Sequence, residues 1–208
     1  MLEDIIRSLL KAPPSQRRIQ VDLGLMAQET SAWKEQVIPW EDEKEMEILS
    51  MHREYKWIKK SSSRFLVGVV YSIYKEPMLT YAFKNYIRGG TFIVLYVATQ
   101  SHQFIFQKQK GRTDFFINGE YVGFITPDWL MYSQRKRLLG RRNRFSDSIY
   151  TLIIWDREVA HLRDPRHIDR AGTRAYEIME QMNDKEQLLC MAMSFLTMIE
   201  GFHGLGNA

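Results

Sequence analysis

The feature that most restricts the fold of this 208-residue chain is a segment near its carboxyl end that is apolar on every helical face. Residues 188–199 read Leu-Leu-Cys-Met-Ala-Met-Ser-Phe-Leu-Thr-Met-Ile, without one charged side chain. A surface helix has a polar face opposite its apolar stripe, so this segment must be surrounded by protein or by lipid. It is too short to cross a bilayer, which takes about 20 residues. We therefore predict a helix that the rest of the chain encloses.

Polar residues and a glycine mark the expected ends of this helix. Asn183 with Glu186, or Asp184 with Gln187, can form a capping box at its amino end. Gly201 is expected to stop the helix at its carboxyl end.

The segments before the helix have the apolar patterns of β-strands, and they are the material that can enclose it. The predicted strands are 65–74, 79–87, 92–99 and 104–106, with breaks at Glu76-Pro77 and at Arg88-Gly89-Gly90. The predicted fold class is therefore α+β, mainly β: a closed antiparallel β-barrel around a central hydrophobic carboxyl-terminal helix, with an amino-terminal helical arm.

Two hairpins of similar pattern lie 37 residues apart. Asn118-Gly119 joins two apolar runs, and this dipeptide is the strongest local signal for a hairpin. Residues 154–162 repeat the pattern of 117–125. The small residues Gly123 and Ala160 occupy matching positions, where we expect the central helix to approach the sheet closely.

The amino-terminal part is predicted to be helical. Residues 1–11 carry apolar side chains on one helical face, and Pro13-Pro14 ends the pattern. We predict an amphipathic helix and linker over residues 1–20, with the linker at 13–20, and a barrel domain over 21–208. The helix is expected to dock on the barrel, with a membrane surface or a second copy as alternatives. Segment 41–60 has acidic residues first and basic residues last, which favours a helix over a strand.

The order of these elements resembles a known family. The Asn118-Gly119 hairpin, the 150–162 hairpin, the strand at 174–179 and the apolar helix after Asn183-Asp184 are similar to the tubby carboxy-terminal fold. The similarity is to its branch of phospholipid scramblases and LURP-one-related proteins, over residues 64–203. The resemblance implies a closed twelve-stranded barrel with the last helix along its central axis. It also implies binding of phosphoinositide headgroups by Lys and Arg on the outside of the barrel.

The chain departs from scramblases in ways that bear on function. Those proteins carry a cysteine cluster and an acidic calcium-binding segment, whereas Cys190 is the single cysteine here and acidic residues near the end are sparse. We therefore expect no lipid scrambling. The phosphoinositide-binding residues of tubby proteins do not align onto individual positions of this chain.

The strongest polar feature is a basic segment predicted to be a loop between the two hairpins. Residues 64–208 hold 19 basic and 14 acidic residues, and this segment carries much of the excess. Anionic lipid headgroups are the expected ligand, while nucleic acid, an acidic protein or pairing with the acidic run Glu41–Glu47 are alternatives. The predicted ligand-binding residues are Arg135, Lys136, Arg137, Arg141, Arg142 and Arg144.

Motifs for catalysis are missing from the sequence. There is no glycine-rich phosphate loop, no G-x-S-x-G elbow and no H-E-x-x-H. His161, Asp164, His167 and Asp169 lie close together, but their spacing matches no metal-ligand set and favours an ordinary turn. A single cysteine suits a reducing compartment.

These observations predict a non-enzymatic binding module in the cytoplasm, able to attach to the membrane periphery, with no cofactor, no metal and no catalytic residue. The expected partner is an anionic membrane surface or lipid headgroup. The alternative is a nucleic-acid-binding or protein-scaffolding domain that uses the basic segment 135–144. The sequence leaves the oligomeric state open.

Overall fold

In the described part of the chain, twelve antiparallel strands form one sheet that curls into a nearly closed barrel, which confirms the predicted fold class. The computed structural model describes residues 14–40, 43–60, 63–86, 92–167 and 173–205. Each strand pairs with the next strand along the chain, so the sheet is a simple meander. The strands are β1 Leu49–Lys60, β2 Ser63–Ser72, β3 Pro77–Tyr86, β4 Phe92–Ala98, β5 Gln103–Gln109, β6 Arg112–Ile117, β7 Glu120–Ile125, β8 Leu130–Ser133, β9 Leu138–Ser146, β10 Ile149–Ile154, β11 Arg157–Arg163 and β12 Tyr176–Ile178.

The barrel is joined where the chain beside β12 meets the start of β1. The backbone N–H of Ala175 donates to the carbonyl oxygen of Leu49 at 2.7 Å, and Ser50 bridges Arg174. Residues 53–60 of β1 pair with β2. Within the part of the chain that the structure describes, the opposite edge of residues 53–60 has no strand partner.

The apolar carboxyl-terminal segment forms helix α3, Asp184–His203, in the centre of the core, as predicted. Every residue from Leu189 to Glu200 is buried. The predicted capping box is present: the Asn183 side chain accepts from the N–H of Glu186, whose carboxylate accepts from the N–H of Asn183. The inner face of the sheet thus forms one core around this helix.

The predicted stop at Gly201 is wrong, because the helix continues to His203 and ends at Gly204 in the left-handed conformation with a φ of 64°. Gly201 serves a different purpose. A Cβ atom at this position would lie 2.2 Å from Cγ of Pro165, so the glycine allows the helix to approach the turn at Pro165–His167.

The linker predicted for residues 13–20 is wrong from Gln16 onward, because helix α1 spans Gln16–Lys34. Ser15 caps it by accepting from the N–H of Arg18. The boundary predicted between residues 20 and 21 falls inside this helix. The amphipathic helix predicted for residues 1–11 lies outside the described residues.

Helix α1 covers the outer face of strands β2 to β4. Its residues Ile19, Leu23 and Met26 form a second apolar cluster with Phe65 and Val94, among others. These strands are therefore buried on both faces, which explains why their sequences are almost continuously apolar.

The helix predicted for residues 41–60 is also wrong over most of its length. Helix α2 covers only Glu43–Glu47, and β1 begins at Leu49. The gradient of charge along the segment is compatible with a helix, but pairing of β1 with β2 from Arg53 to Lys60 decides the conformation. Long-range pairing thus overrides a weak local preference.

The two similar hairpins, β6–β7 and β10–β11, share their register as well as their pattern. Phe115 pairs with Gly123, Leu152 pairs with Ala160, and a register shift follows directly in each hairpin. The expected reason for the small residue is wrong at Gly123. A Cβ atom there would lie 1.9 Å from the carbonyl oxygen of Tyr132, so Gly123 accommodates strand β8 and not the central helix.

Candidate functional site

The six basic residues predicted as one loop are divided along a hairpin. Strand β9 contains Arg141, Arg142 and Arg144, while only residues 135–137 lie in the β8–β9 turn. The prediction of a single basic loop is therefore wrong. At about 3.3 Å per strand residue, the Cα atoms of Arg137 and Arg144 lie roughly 23 Å apart. They cannot contact one small ligand together.

Two arginines of β9 make local surface contacts. Arg141 lies 3.6 Å from the carboxylate of Asp156. Arg144 donates to the carbonyl oxygens of Ser146 and Asp147. Exposed contacts of this kind contribute little to stability and leave both side chains at the surface.

Arg142 differs from these neighbours because its side chain is directed toward the central helix. One terminal N–H donates to Oγ1 of Thr197 on α3 at 3.1 Å. The guanidinium carbon lies 3.3 Å from the centre of the Trp129 ring and 4.1 Å from the centre of the Tyr150 ring. Both rings can stabilise the cation through their π faces. Burial lowers the pKa of Arg142 to about 10, so the group remains charged at neutral pH.

Arg142 lies in a pocket of about 250 Å³ between the carboxyl-terminal half of α3 and strands β5, β6, β7, β9 and β10. We call this space the Arg142 pocket. Helix α3 contributes Leu196, Thr197 and Gly201 to its wall. The charged residues that line it are four cations, Lys108, Arg112, Arg142 and Arg166, and two carboxylates, Asp164 and Glu200.

The carboxylates of the pocket are held by cations other than Arg142. Nζ of Lys108 lies 2.7 Å from Glu200, and Arg166 donates to both carboxylate oxygens of Asp164, at 2.7 and 3.0 Å. Burial alone would raise the pKa of Asp164, but hydrogen bonds from Arg166 and Tyr150 outweigh burial and hold that pKa well below its usual range. Asp164 is therefore ionised and engaged at neutral pH.

Arg112 also has a carboxylate partner, since it donates to Asp114. Among the described residues, Arg142 is then the pocket cation with no carboxylate within ion-pair distance. Burial lowers the pKa of Arg142 more than Coulombic attraction by Tyr150, Glu200 and Asp164 raises it. A bound anion in direct contact with the guanidinium would reduce the remaining cost of burying this charge. A guanidinium group suits the planar, bidentate recognition of a phosphate or carboxylate group.

The possible metal site at residues 161–169 is not assembled by the part that the structure describes. His161 contacts Glu158 at 2.8 Å, and Asp164 lies in the Arg142 pocket with Arg166. No group of three or more His, Cys, Asp or Glu side chains among the described residues could hold a metal ion. Asp169 lies outside those residues.

The sequence identified Arg142 as a candidate but missed the side chains that form its pocket. Trp129, Tyr150 and Thr197 come from the β7–β8 turn, strand β10 and the central helix, and no local pattern links them to Arg142. The one available signal was alternation along β9, since residues 140 and 142 of a strand face the same side and Gly140 is buried. A predicted loop conceals that alternation.

Comparison of the chain with family models, curated proteins and solved structures found no match. None of the described helices has the length and apolar character needed to cross a membrane.

Proposed function

We propose that this protein is a non-enzymatic binding module that takes the headgroup phosphate of an anionic phospholipid into the Arg142 pocket. The observation that carries the proposal is the largely buried guanidinium of Arg142, which has two aromatic neighbours and one hydroxyl acceptor but, among the described residues, no carboxylate within ion-pair distance. Its remaining N–H groups are available to an anion. A phosphate at this position would receive charge-assisted hydrogen bonds.

The surroundings of the pocket favour an anion at a membrane surface. Lys108, Arg112 and Arg166 are paired with carboxylates, so Arg142 gives the pocket its excess positive charge. The chain as a whole has a formal net charge of +4. Each cation near an anionic bilayer contributes about 1 kcal/mol of attraction. An anionic headgroup thus remains the proposed ligand, and its site is a pocket in place of the predicted loop.

Nucleic acid is less well supported as the ligand. Binding of a single strand requires a continuous basic groove with aromatic side chains on which bases stack. Here the basic segment is divided along β9, and the aromatic rings nearest to Arg142 are engaged by its own guanidinium.

The test compares Arg142→Met with Arg144→Met, because both arginines lie on β9 but only Arg142 reaches the pocket. Binding is measured by sedimentation with phosphatidylcholine vesicles that contain or lack phosphatidylglycerol, and by titration with soluble glycerophosphate. Hydrogen bonds to a charged group are worth about 1.5–3 kcal/mol, so Arg142→Met should bind roughly 10- to 150-fold more weakly. Arg144→Met should bind like the unmodified protein.

A third variant, with Arg135, Lys136 and Arg137 all changed to Ala, tests the β8–β9 turn separately. It should retain binding and melt at nearly the same temperature, because exposed charges contribute little to stability. Loss of binding in this variant, with normal binding by Arg142→Met, would contradict the proposal and place the site at the turn. Binding to an oligonucleotide with a steep dependence on salt, and none to vesicles, would favour nucleic acid instead.

A further inference from the structure

A second surface near the carboxyl end of α3 has exposed aromatic side chains. Tyr55 and Trp57 of β1 are 55% and 54% exposed, respectively, which is high for large apolar residues. Both lie on the same face of β1, because side chains alternate along a strand. The ring of Tyr55 meets the ring of His203 edge-on, so this face of β1 lies beside the last turn of α3.

The same face of β1 is basic and carries no acidic residue. Alternation adds Arg53 and Lys59 to Tyr55 and Trp57, and directs Glu54 and Lys56 to the opposite face. Arg53 is partly buried, because its guanidinium packs on the ring of Phe202 at 4.1 Å. Glu54 accepts from the hydroxyl of Tyr71, and Lys56 lies over the Trp33 ring of α1. We call Arg53, Tyr55, Trp57 and Lys59, together with Arg64 on β2, the β1 ridge.

Two cations of the β1 ridge lie directly opposite each other. Lys59 pairs in register with Arg64, whose guanidinium carbon is 4.8 Å from the centre of the Trp57 ring. Like charges at directly opposed positions destabilise a sheet. A negatively charged surface in contact with the ridge would relieve that repulsion. Tyr and Trp side chains next to cations are also the composition found at membrane–water interfaces.

The β1 ridge and the Arg142 pocket lie beside the same end of α3. Tyr55 of the ridge contacts His203, while Gly201 and Gly204 line the pocket. One surface placed against this end of the helix can therefore meet both features.

We infer that Tyr55 and Trp57 enter the interfacial layer of an anionic bilayer, so that the protein lies on the membrane with the carboxyl end of α3 facing the lipid. This orientation rests on the proposed function, since the bilayer supplies the headgroup for the Arg142 pocket. The ridge supplies apolar contact and the pocket supplies recognition of phosphate.

The experiment measures quenching of tryptophan fluorescence by phosphatidylglycerol vesicles with brominated acyl chains, beside sedimentation with the same vesicles. Trp57→Phe is compared with Trp155→Phe. Trp155 is a suitable control because it is 42% exposed and lies far from the proposed membrane contact. Tyr150, near the start of β10, lines the Arg142 pocket, whereas Trp155 lies in the turn after the other end of β10. We expect strong quenching in the unmodified protein, little change in Trp155→Phe and a clear fall in quenching in Trp57→Phe. Some quenching should remain in Trp57→Phe, because Trp129 lies in the Arg142 pocket at the same end of the barrel.

A double variant, Tyr55→Ser with Trp57→Ser, gives a second measurement. It should lose vesicle binding while keeping its affinity for soluble glycerophosphate, because the pocket is intact. Sedimentation of Trp57→Phe with quenching equal to that of the unmodified protein would overturn the orientation alone. Failure of the unmodified protein to sediment with anionic vesicles would overturn the proposed function together with the orientation.

Discussion

The carboxylate of Asp22 fastens helix α1 to the outside of the barrel, and its removal should cost several kcal/mol. Asp22 is completely buried, and its carboxylate accepts hydrogen bonds from Lys84 at 2.8 Å, Ser63 at 2.7 Å and Tyr86 at 2.6 Å. Arg18 approaches the same carboxylate at 3.2 Å. Asp22→Ala would leave the ammonium group of Lys84, which is also buried, without its carboxylate.

The expected magnitude follows from the burial of both partners. Breaking a buried ion pair by removing one partner costs about 3–5 kcal/mol, because the other charge stays buried and uncompensated. For a protein of this size, 1 kcal/mol shifts the melting temperature by about 2–4 °C. Asp22→Ala should therefore melt roughly 6–20 °C below the unmodified protein.

Thermal and urea denaturation measure this difference, with Glu29→Ala as the control on the same helix. Glu29 pairs with the partly exposed Lys60, so its removal should cost no more than about 1 kcal/mol. The double variant Asp22→Ala with Lys84→Met should recover much of the loss, because it leaves no unpaired charge. A loss below about 1 kcal/mol in Asp22→Ala, or no recovery in the double variant, would refute this account.

The same carboxylate makes stability depend on pH. Burial alone would raise the pKa of Asp22, but hydrogen bonds from Lys84, Tyr86 and Ser63 outweigh burial and lower the pKa below its usual value. The stabilisation is therefore complete above the unfolded-state pKa of about 3.9, and it is lost as the pH falls toward the lower folded-state pKa. The urea midpoint of the unmodified protein should approach that of Asp22→Ala at acidic pH. A constant difference between them at every pH would contradict this.

Two further predictions concern the interior of the barrel. Met193→Asp should prevent folding, because Met193 is fully buried on α3 and a charge there has no partner, whereas Met179→Asp at a 46% exposed position should fold normally. A cooperative melt of soluble Met193→Asp would contradict enclosure of the helix. Gly123→Ala should cost at least about 1–3 kcal/mol because its Cβ would overlap strand β8, while Gly24→Ala should gain up to about 1 kcal/mol of helix stability. Equal urea midpoints for these two variants would contradict the close approach at Gly123.

The elements that could be predicted from the sequence are those whose local residue pattern agrees with their burial in the fold. Helix α3 was predictable because its residues are apolar in all directions and Asn183 and Glu186 form a cap with neighbours in the chain. The hairpin at Asn118-Gly119 was predictable because both turn residues adopt positive φ, of 51° and 84°, as this dipeptide does readily. An enclosed helix must be surrounded by other segments of the chain, and the segments before it have strand patterns, so a β-barrel around the helix could be predicted.

The elements that were predicted wrongly are those whose conformation or residue size depends on segments distant in the chain. Residues 49–60 form a strand because β2 pairs with them, although their charge gradient suits a helix. Position 123 has no room for a side chain because strand β8 passes close to its backbone. Position 201 has none because the turn at Pro165 packs against the helix there. In each case the constraint comes from a segment that the local pattern does not contain.

The sequence by itself determined an all-round apolar helix, the strands that enclose it and a basic segment near residue 140. Only the tertiary structure decided that the Arg142 side chain points inward and contacts Trp129, Tyr150 and Thr197, unlike the exposed cations beside it. Strand alternation and the position of α3 give it this direction. The cost of burying a cation depends on which groups surround it. Those groups are assembled only when the strands and the central helix pack together.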